Sequence, residues 1–119
     1  MIVGDTGFDI LLGGDGRDTL YGQNDGDIVI GGIYANETDI ADLMAILTIW
    51  SDDGTTYADI DAKIAALPQL TTIGSDLPAD ELDQLTGGFG DDWLIAHGLD
   101  VTDIVNNESP ADEDRLLSL

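Results

Sequence analysis

Three consecutive nine-residue blocks near the start of the chain, Gly4–Leu12, Gly13–Tyr21 and Gly22–Ile30, are near copies of one another. A fourth opens at Gly31-Gly32 and breaks off, and a further copy runs from Gly87 to Ile95. Glycine opens each block, Asp holds the sixth place (Asp9, Asp18, Asp27, Asp92), and an aliphatic residue holds the eighth (Leu11, Leu20, Val29, Leu94). A period this short divides into a six-residue turn and a three-residue strand. Glycine admits positive φ and close backbone approach, so such turns can stack. Alternation along the strand sends its middle side chain inward and its neighbours outward, which makes Leu11, Leu20, Val29 and Leu94 the expected inward ladder.

The pattern resembles the hemolysin-type (RTX) calcium-binding nonapeptide repeat, G-G-x-G-x-D-x-U-x. That resemblance implies a mainly β fold, a right-handed parallel β-roll (a β-helix solenoid), with calcium ions (Ca2+) between stacked turns. A hard cation takes several oxygen ligands. Asp9, Asp18, Asp27 and Asp92 are the implied carboxylates, with Asp83 and Asn36 as weaker ones. Carbonyls around Gly4, Gly7, Gly13, Gly14, Gly16, Gly22, Gly31, Gly32, Gly88 and Gly90 supply most of the rest. The third-place residues Thr6, Asp15, Asn24 and Ile33 and the fourth-place Asp25 complete the implied set.

Charge is consistent with this. The chain carries 25 acidic and 3 basic residues, a formal net charge of -22 over 119 residues. Self-repulsion of that size opposes compaction unless cations neutralise it. It argues against nucleic acid, whose phosphates require a basic patch. A hydrophobic content of 43% is too high for a disordered acidic tail. No cysteine is present to form a disulfide, and no apolar run is long enough for membrane insertion. Met1-Ile2-Val3 would fill the strand of a preceding block, so the expectation is that repeats of a larger parent protein lie upstream. The open β-roll edge is then a place for self-association.

The nonapeptide does not fit residues 37–77. Ile40, Leu43, Met44, Leu47 and Trp50 recur at helical spacing behind Thr38 or Asp39. A second helix is expected over Tyr57–Leu67, with Thr55 or Thr56 in front and Pro68 ending it. Ser51-Asp52-Asp53-Gly54 reads as the turn between them. The expected organisation is therefore repeats over 1–36, a helical-hairpin insert over 37–77, resumed repeats and a cap strand over 78–105, and an acidic tail over 106–119.

Counting back from Gly87 gives a degenerate block, Pro78–Thr86, with Asp83 in sixth place, and Thr71-Thr72-Ile73 would supply the strand missing from the fourth repeat. On that count Asp9, Asp27 and Asp83 line one side of the stack and Asp18, Asn36 and Asp92 the other. Ile10, Leu12, Ile28 and Ile30 would form an outward apolar patch for the hairpin to cover, with Tyr21, Trp93 and Ile95 on the opposite sheet.

No enzyme constellation survives inspection. His97 is the single histidine and there is no cysteine, which excludes the usual zinc sites. The glycines lack the pattern of a phosphate-binding loop, and no Asp stands five residues before Gly16, Gly26 or Gly54 as an EF-hand requires. The insert followed by Asp83–Trp93 also resembles a C-terminal segment of large bacterial surface or secreted proteins. This implies an extracellular module that folds on calcium after one-step secretion. The alternatives are a structural or adhesive protein–protein module, and the C-terminal module of a secreted hydrolase whose active site lies upstream.

Overall fold

The repeat period becomes alternation between two sheets. The computed structural model describes residues 1–72, 82–96, 101–103 and 114–118. Its strands are β1 (Ile2–Asp5), β2 (Ile10–Leu12), β3 (Thr19–Gln23), β4 (Ile28–Ile30), β5 (Gln84–Gly88), β6 (Trp93–Ala96), β7 (Val101–Asp103) and β8 (Arg115–Ser118). Odd-numbered strands form one four-stranded sheet in the order β1-β3-β5-β7, and even-numbered strands form the other, β2-β4-β6-β8. Every pairing is parallel, and the register is strict: Leu11 lies beside Val29, Val29 beside Leu94 and Leu94 beside Leu116. Between the sheets Leu11, Leu20, Val29, Leu85, Leu94 and Ala96 pack as one buried cluster. The inward ladder expected from the eighth place is the ladder observed.

Two helices follow β4: α1 (Ile40–Trp50) and α2 (Ile60–Ala65). Asp39 caps α1 by accepting the Asp42 N–H, and Asp59 caps α2 by accepting the Ala62 N–H, each satisfying a first-turn donor that has no partner within the helix. α2 is shorter than the expected Tyr57–Leu67 and ends at Ala65, before Pro68, which opens a 3-10 turn, Pro68–Thr72. Across the outer face of the second sheet, Ile28, Ile30, Trp93 and Ile95 meet Ile46, Trp50, Ile60, Leu67 and Leu70. Trp50 stacks on Trp93 with ring centroids 5.9 Å apart. Each large side chain buried there contributes about 1.5–3 kcal/mol.

These helices correct the expected fold. The chain is a small α/β domain of two parallel sheets and two helices, not the mainly β, right-handed parallel β-roll solenoid with a flanking hairpin. Among the described residues the helix–sheet core holds ten buried side chains and the inter-sheet core six, so the larger part of the apolar interior lies between the second sheet and the helical segment. The repeat motif describes only turns and strands and is silent about them.

The helical segment also counts differently from expectation. No strand stands between β4 and β5 among the described residues, and Thr71-Thr72 lie in the 3-10 turn. Residues 31–83 therefore make one step from the second sheet to the first, where two had been expected. Trp93 and Ile95 consequently join Ile28 and Ile30 under the helices, while Tyr21 stays exposed on the other sheet. The face of α1 is shifted too. Ile46 and Trp50 are buried and Leu43 and Ile49 pack beside them, whereas Ile40 and Met44 are 73% and 57% exposed. Arg115–Ser118, within the stretch expected as a tail, is the last strand of the second sheet.

Candidate cation-binding turns

The turns between strands share one backbone. Their second residue has positive φ at Asp5, Gly14, Gln23 and Gly88, and so does their fourth at Gly7, Gly16, Asp25 and Gly90. Glycine enters this region freely and other L-residues at a cost. Asp5, Gln23 and Asp25 hold φ values of 83°, 80° and 68°, because the stacking of turns above and below imposes the shape.

At the sixth place the aspartates form directional rungs. The Asp9 N–H donates to Asp27 Oδ1 at 2.9 Å, the Asp27 N–H to Asp92 Oδ1 at 2.8 Å, and the Asp92 N–H to Asp114 Oδ1 at 3.0 Å. On the other side the Asp18 N–H donates to Asp83 Oδ1 at 2.7 Å. The predicted grouping is thus corrected. Asp92 stacks with Asp9 and Asp27, and Asp83 with Asp18, because the helical segment occupies one turn. Asn36 stands exposed, its carbonyl accepting the Asp39 N–H, and joins neither column. Gly31 is buried and its N–H donates to the Ile95 carbonyl, while Ile33 is half-buried beyond it.

The second carboxylate oxygen has a different environment. Oδ2 of Asp9, Asp18, Asp27 and Asp92 is buried with no hydrogen-bond partner. Each of these aspartates lies against the first glycine of its own turn. A Cβ on Gly4 would sit 2.7 Å from Asp9 Oδ2 and 2.9 Å from the carbonyl oxygen of Gly22, one stacked turn on. At Gly22 it would collide with Asp27 Oδ2 and lie 2.6 Å from the Gly87 carbonyl oxygen. The space a side chain would fill is bordered instead by a carboxylate oxygen and a main-chain carbonyl oxygen from successive turns.

A carboxylate oxygen removed from water without a donor loses its hydration. Burial pushes the Asp27 carboxyl up to about 7, against the opposing effect of the Asp9 N–H, and pushes Asp92 up to about 8. Burial, followed by neighbouring carboxylates, also raises Asp9 and Asp18 above the ordinary range. The donor chemistry fits a hard divalent cation such as calcium, which is held by carboxylate and carbonyl oxygens. Among the described residues no three His, Cys, Asp or Glu side chains converge on one point. Such an ion would therefore take most of its ligands from the main chain.

The remaining predicted positions are distributed along the same turns. Asp25 accepts the Gly7 N–H at 2.9 Å, and the Asn24 N–H donates to the Asp5 carbonyl at 3.0 Å. Thr6 and Asp15 are exposed at turn tips and Gly13 is half-buried. Asp114 was missed, although Asp114-Arg115-Leu116 keeps the acid at sixth place and the aliphatic at eighth; its turn lacks the glycines that drew attention to the others. His97 lies outside the described residues. Among the described residues no helix is long and apolar enough to cross a membrane.

A cleft of about 420 Å³ lies beside the turns, where Phe8, Asp25 and Asp91 face Asp52, Tyr57 and Lys63 of the helical segment. Lys63 Nζ donates to the Trp50 carbonyl at 2.8 Å and lies 5.9 Å from the Phe8 ring centroid, pinning helix to turn. Comparison of the chain with protein-family models, with curated proteins and with solved structures finds no match.

Proposed function

We propose that the chain is a calcium-binding module of the hemolysin-type repeat kind, belonging to an extracellular bacterial protein and folding on calcium after secretion. The observation that carries this reading is the row of buried Oδ2 atoms on Asp9, Asp18, Asp27 and Asp92, each without a hydrogen-bond donor. A divalent cation between stacked turns supplies the positive charge that these oxygens lack, with nearby glycine carbonyls as further ligands. Carboxylates from Asp9, Asp18, Asp27 and Asp92, with Asp83 and Asp114 in the same columns, share the role with carbonyls of the first-place glycines.

The ion binds the folded chain and not the unfolded one, so its concentration sets the folded fraction. In calcium-poor cytoplasm, charge repulsion at -22 keeps the chain open. Outside the cell, affinities of roughly 10⁻⁴ to 10⁻³ M suffice to fold it. The module does no chemistry of its own.

The test is a far-UV circular dichroism titration with calcium after exhaustive chelation, with magnesium as control. A coil-to-strand transition specific to calcium is expected. A folded spectrum in chelator that calcium leaves unmoved would overturn the reading.

A further inference from the structure

Helix α1 presents a second apolar face that the core does not use. Ile46 and Trp50 are buried in the helix–sheet core, and Asp42, the single charged side chain of the helix, accepts the Tyr34 hydroxyl. On the remaining side Ile40 and Met44, one turn apart, are 73% and 57% exposed. Leu47 is half-buried there, and Ala41, Ala45 and Thr48 are exposed beside it. The Thr48 hydroxyl donates back to the Met44 carbonyl at 2.8 Å, so it is satisfied within its own helix. A surface helix ordinarily sets charged residues on its outer face, and one that is apolar all round is buried. α1 is of the second kind in sequence and of the first in position.

The surroundings select what covers it. Glu37 and Asp39 precede the helix, Asp52 and Asp53 follow it, and no Lys or Arg stands between Arg17 and Lys63 in the chain. At the C-terminal end the acids add to the negative pole of the helix dipole. That end opens on the cleft of about 420 Å³, whose lining carries five carboxylates, Asp25, Asp52, Asp53, Asp59 and Asp91, against the one ammonium of Lys63. The Asp52 carboxyl is held below its ordinary value, chiefly by the Tyr57 N–H, and keeps its charge. Repulsion between chains at -22 disfavours a second copy on this face, and an anionic membrane surface is disfavoured in the same way. An apolar strip with acidic ends is complementary to an apolar strip with basic flanks.

We infer that the outer face of α1 is a docking surface for a basic amphipathic helix of a partner protein. The partner's apolar stripe seats on Ile40, Met44 and Leu47, and its basic residues meet the acids at either end of α1. Recognition between helices reads apolar anchors at i, i+4 and i+7, which is the spacing of these three residues. The inference does not rest on the calcium reading, because α1 is fixed in place by the apolar helix–sheet core.

The experiment titrates the full chain, in calcium at physiological ionic strength, into a labelled synthetic helix of leucine and lysine whose leucines share one face, read by fluorescence anisotropy. One control peptide scrambles the same residues around the helix, and another replaces lysine by glutamate. The first peptide is expected to bind saturably, about tenfold or more tighter than either control. Exchanging both Ile40→Gln and Met44→Gln keeps good helix formers at exposed positions. It is expected to weaken binding by about tenfold with an unchanged circular dichroism spectrum, and Met44→Gln alone to weaken it by a smaller factor. Tyr21→Gln, exposed on the other sheet, is expected to change nothing. Equal binding of the scrambled peptide, or unchanged affinity in the Gln variants, overturns the docking surface. Two further results overturn it by naming another occupant. A dimer in sedimentation velocity that the double variant abolishes assigns the face to a second copy; flotation with phosphatidylcholine vesicles that the double variant abolishes assigns it to lipid. A chain that binds the peptide while its spectrum is the same in calcium and in chelator overturns the calcium reading and leaves docking standing.

Discussion

The two cores of this domain are built on opposite principles. The helix–sheet core, from Trp50 and Ile46 to Trp93 and Ile28, is almost wholly apolar and ends on capped helices. The inter-sheet core is a thin ladder of six buried side chains among the described residues, flanked by turns in which carboxylate oxygens of Asp9, Asp18, Asp27 and Asp92 are buried and unpartnered. The first is stable by exclusion of water alone. The second is held together partly by apolar contact and pushed apart by its own charge, so its contribution depends on what neutralises that charge. Helices laid on the second sheet give the ladder a support that does not vary with ionic conditions.

The comparison is broken most severely at its junction. Trp50→Ala removes the ring that stacks on Trp93, and a loss of about 3–5 kcal/mol is expected by urea denaturation. The loss should be the same with calcium as with chelator, because the ring packs on Trp93 within the apolar helix–sheet core.

The next largest effect is expected from pH in chelator. The Asp27 and Asp92 carboxyls sit at about 7 and about 8, above their ordinary value of 3.8. A raised carboxyl favours the folded state while protonated. The contribution is therefore fully present below about pH 4 and lost as pH rises through about 7 and 8. Urea midpoints should fall as pH rises across that window, and calcium should flatten or reverse the slope.

Asp27→Asn sharpens the contrast at one rung. It keeps an oxygen for the Asp9 N–H and removes the buried charge, so stability in chelator should rise by about 1–3 kcal/mol. The calcium-dependent gain should shrink, and the two urea midpoints should approach one another. If both midpoints fell together, Asp27 would be a packing residue only.

Gln23→Gly is the smallest step. Relief of a positive φ of 80° at a non-glycine residue, less the added chain entropy, should stabilise by about 0.5–1 kcal/mol. Thermal denaturation of the variant, in calcium and in chelator, checks it.

These features were not equally legible in the sequence. Strands β2, β3, β4 and β6 and their inward residues could be read because the period of nine fixes which side chain points where. The columns of aspartates could not be read beyond Asp27. An insert of fifty residues can represent one turn or two, and no residue type distinguishes them. The α1 face was misplaced because Ile40, Leu43, Met44, Ile46, Leu47, Ile49 and Trp50 surround most of the helix, so apolar spacing selects no stripe; the sheet beneath selects it. Strand β8 was hidden because its turn has lost glycine while keeping only Asp114 and Leu116.

The segment from Gly31 to Asp83 leaves one sheet and enters the next as a single step, and the rung from Asp27 to Asp92 closes over it at the same 2.8–2.9 Å as a rung spanning eighteen residues. The stack therefore does not measure how much chain passes between those two points. Insertions, deletions or wholesale exchange of that segment leave every strand in phase, provided the sheet face stays covered. It is a natural socket where evolution, or a protein engineer, can swap one cargo for another without rewriting the scaffold.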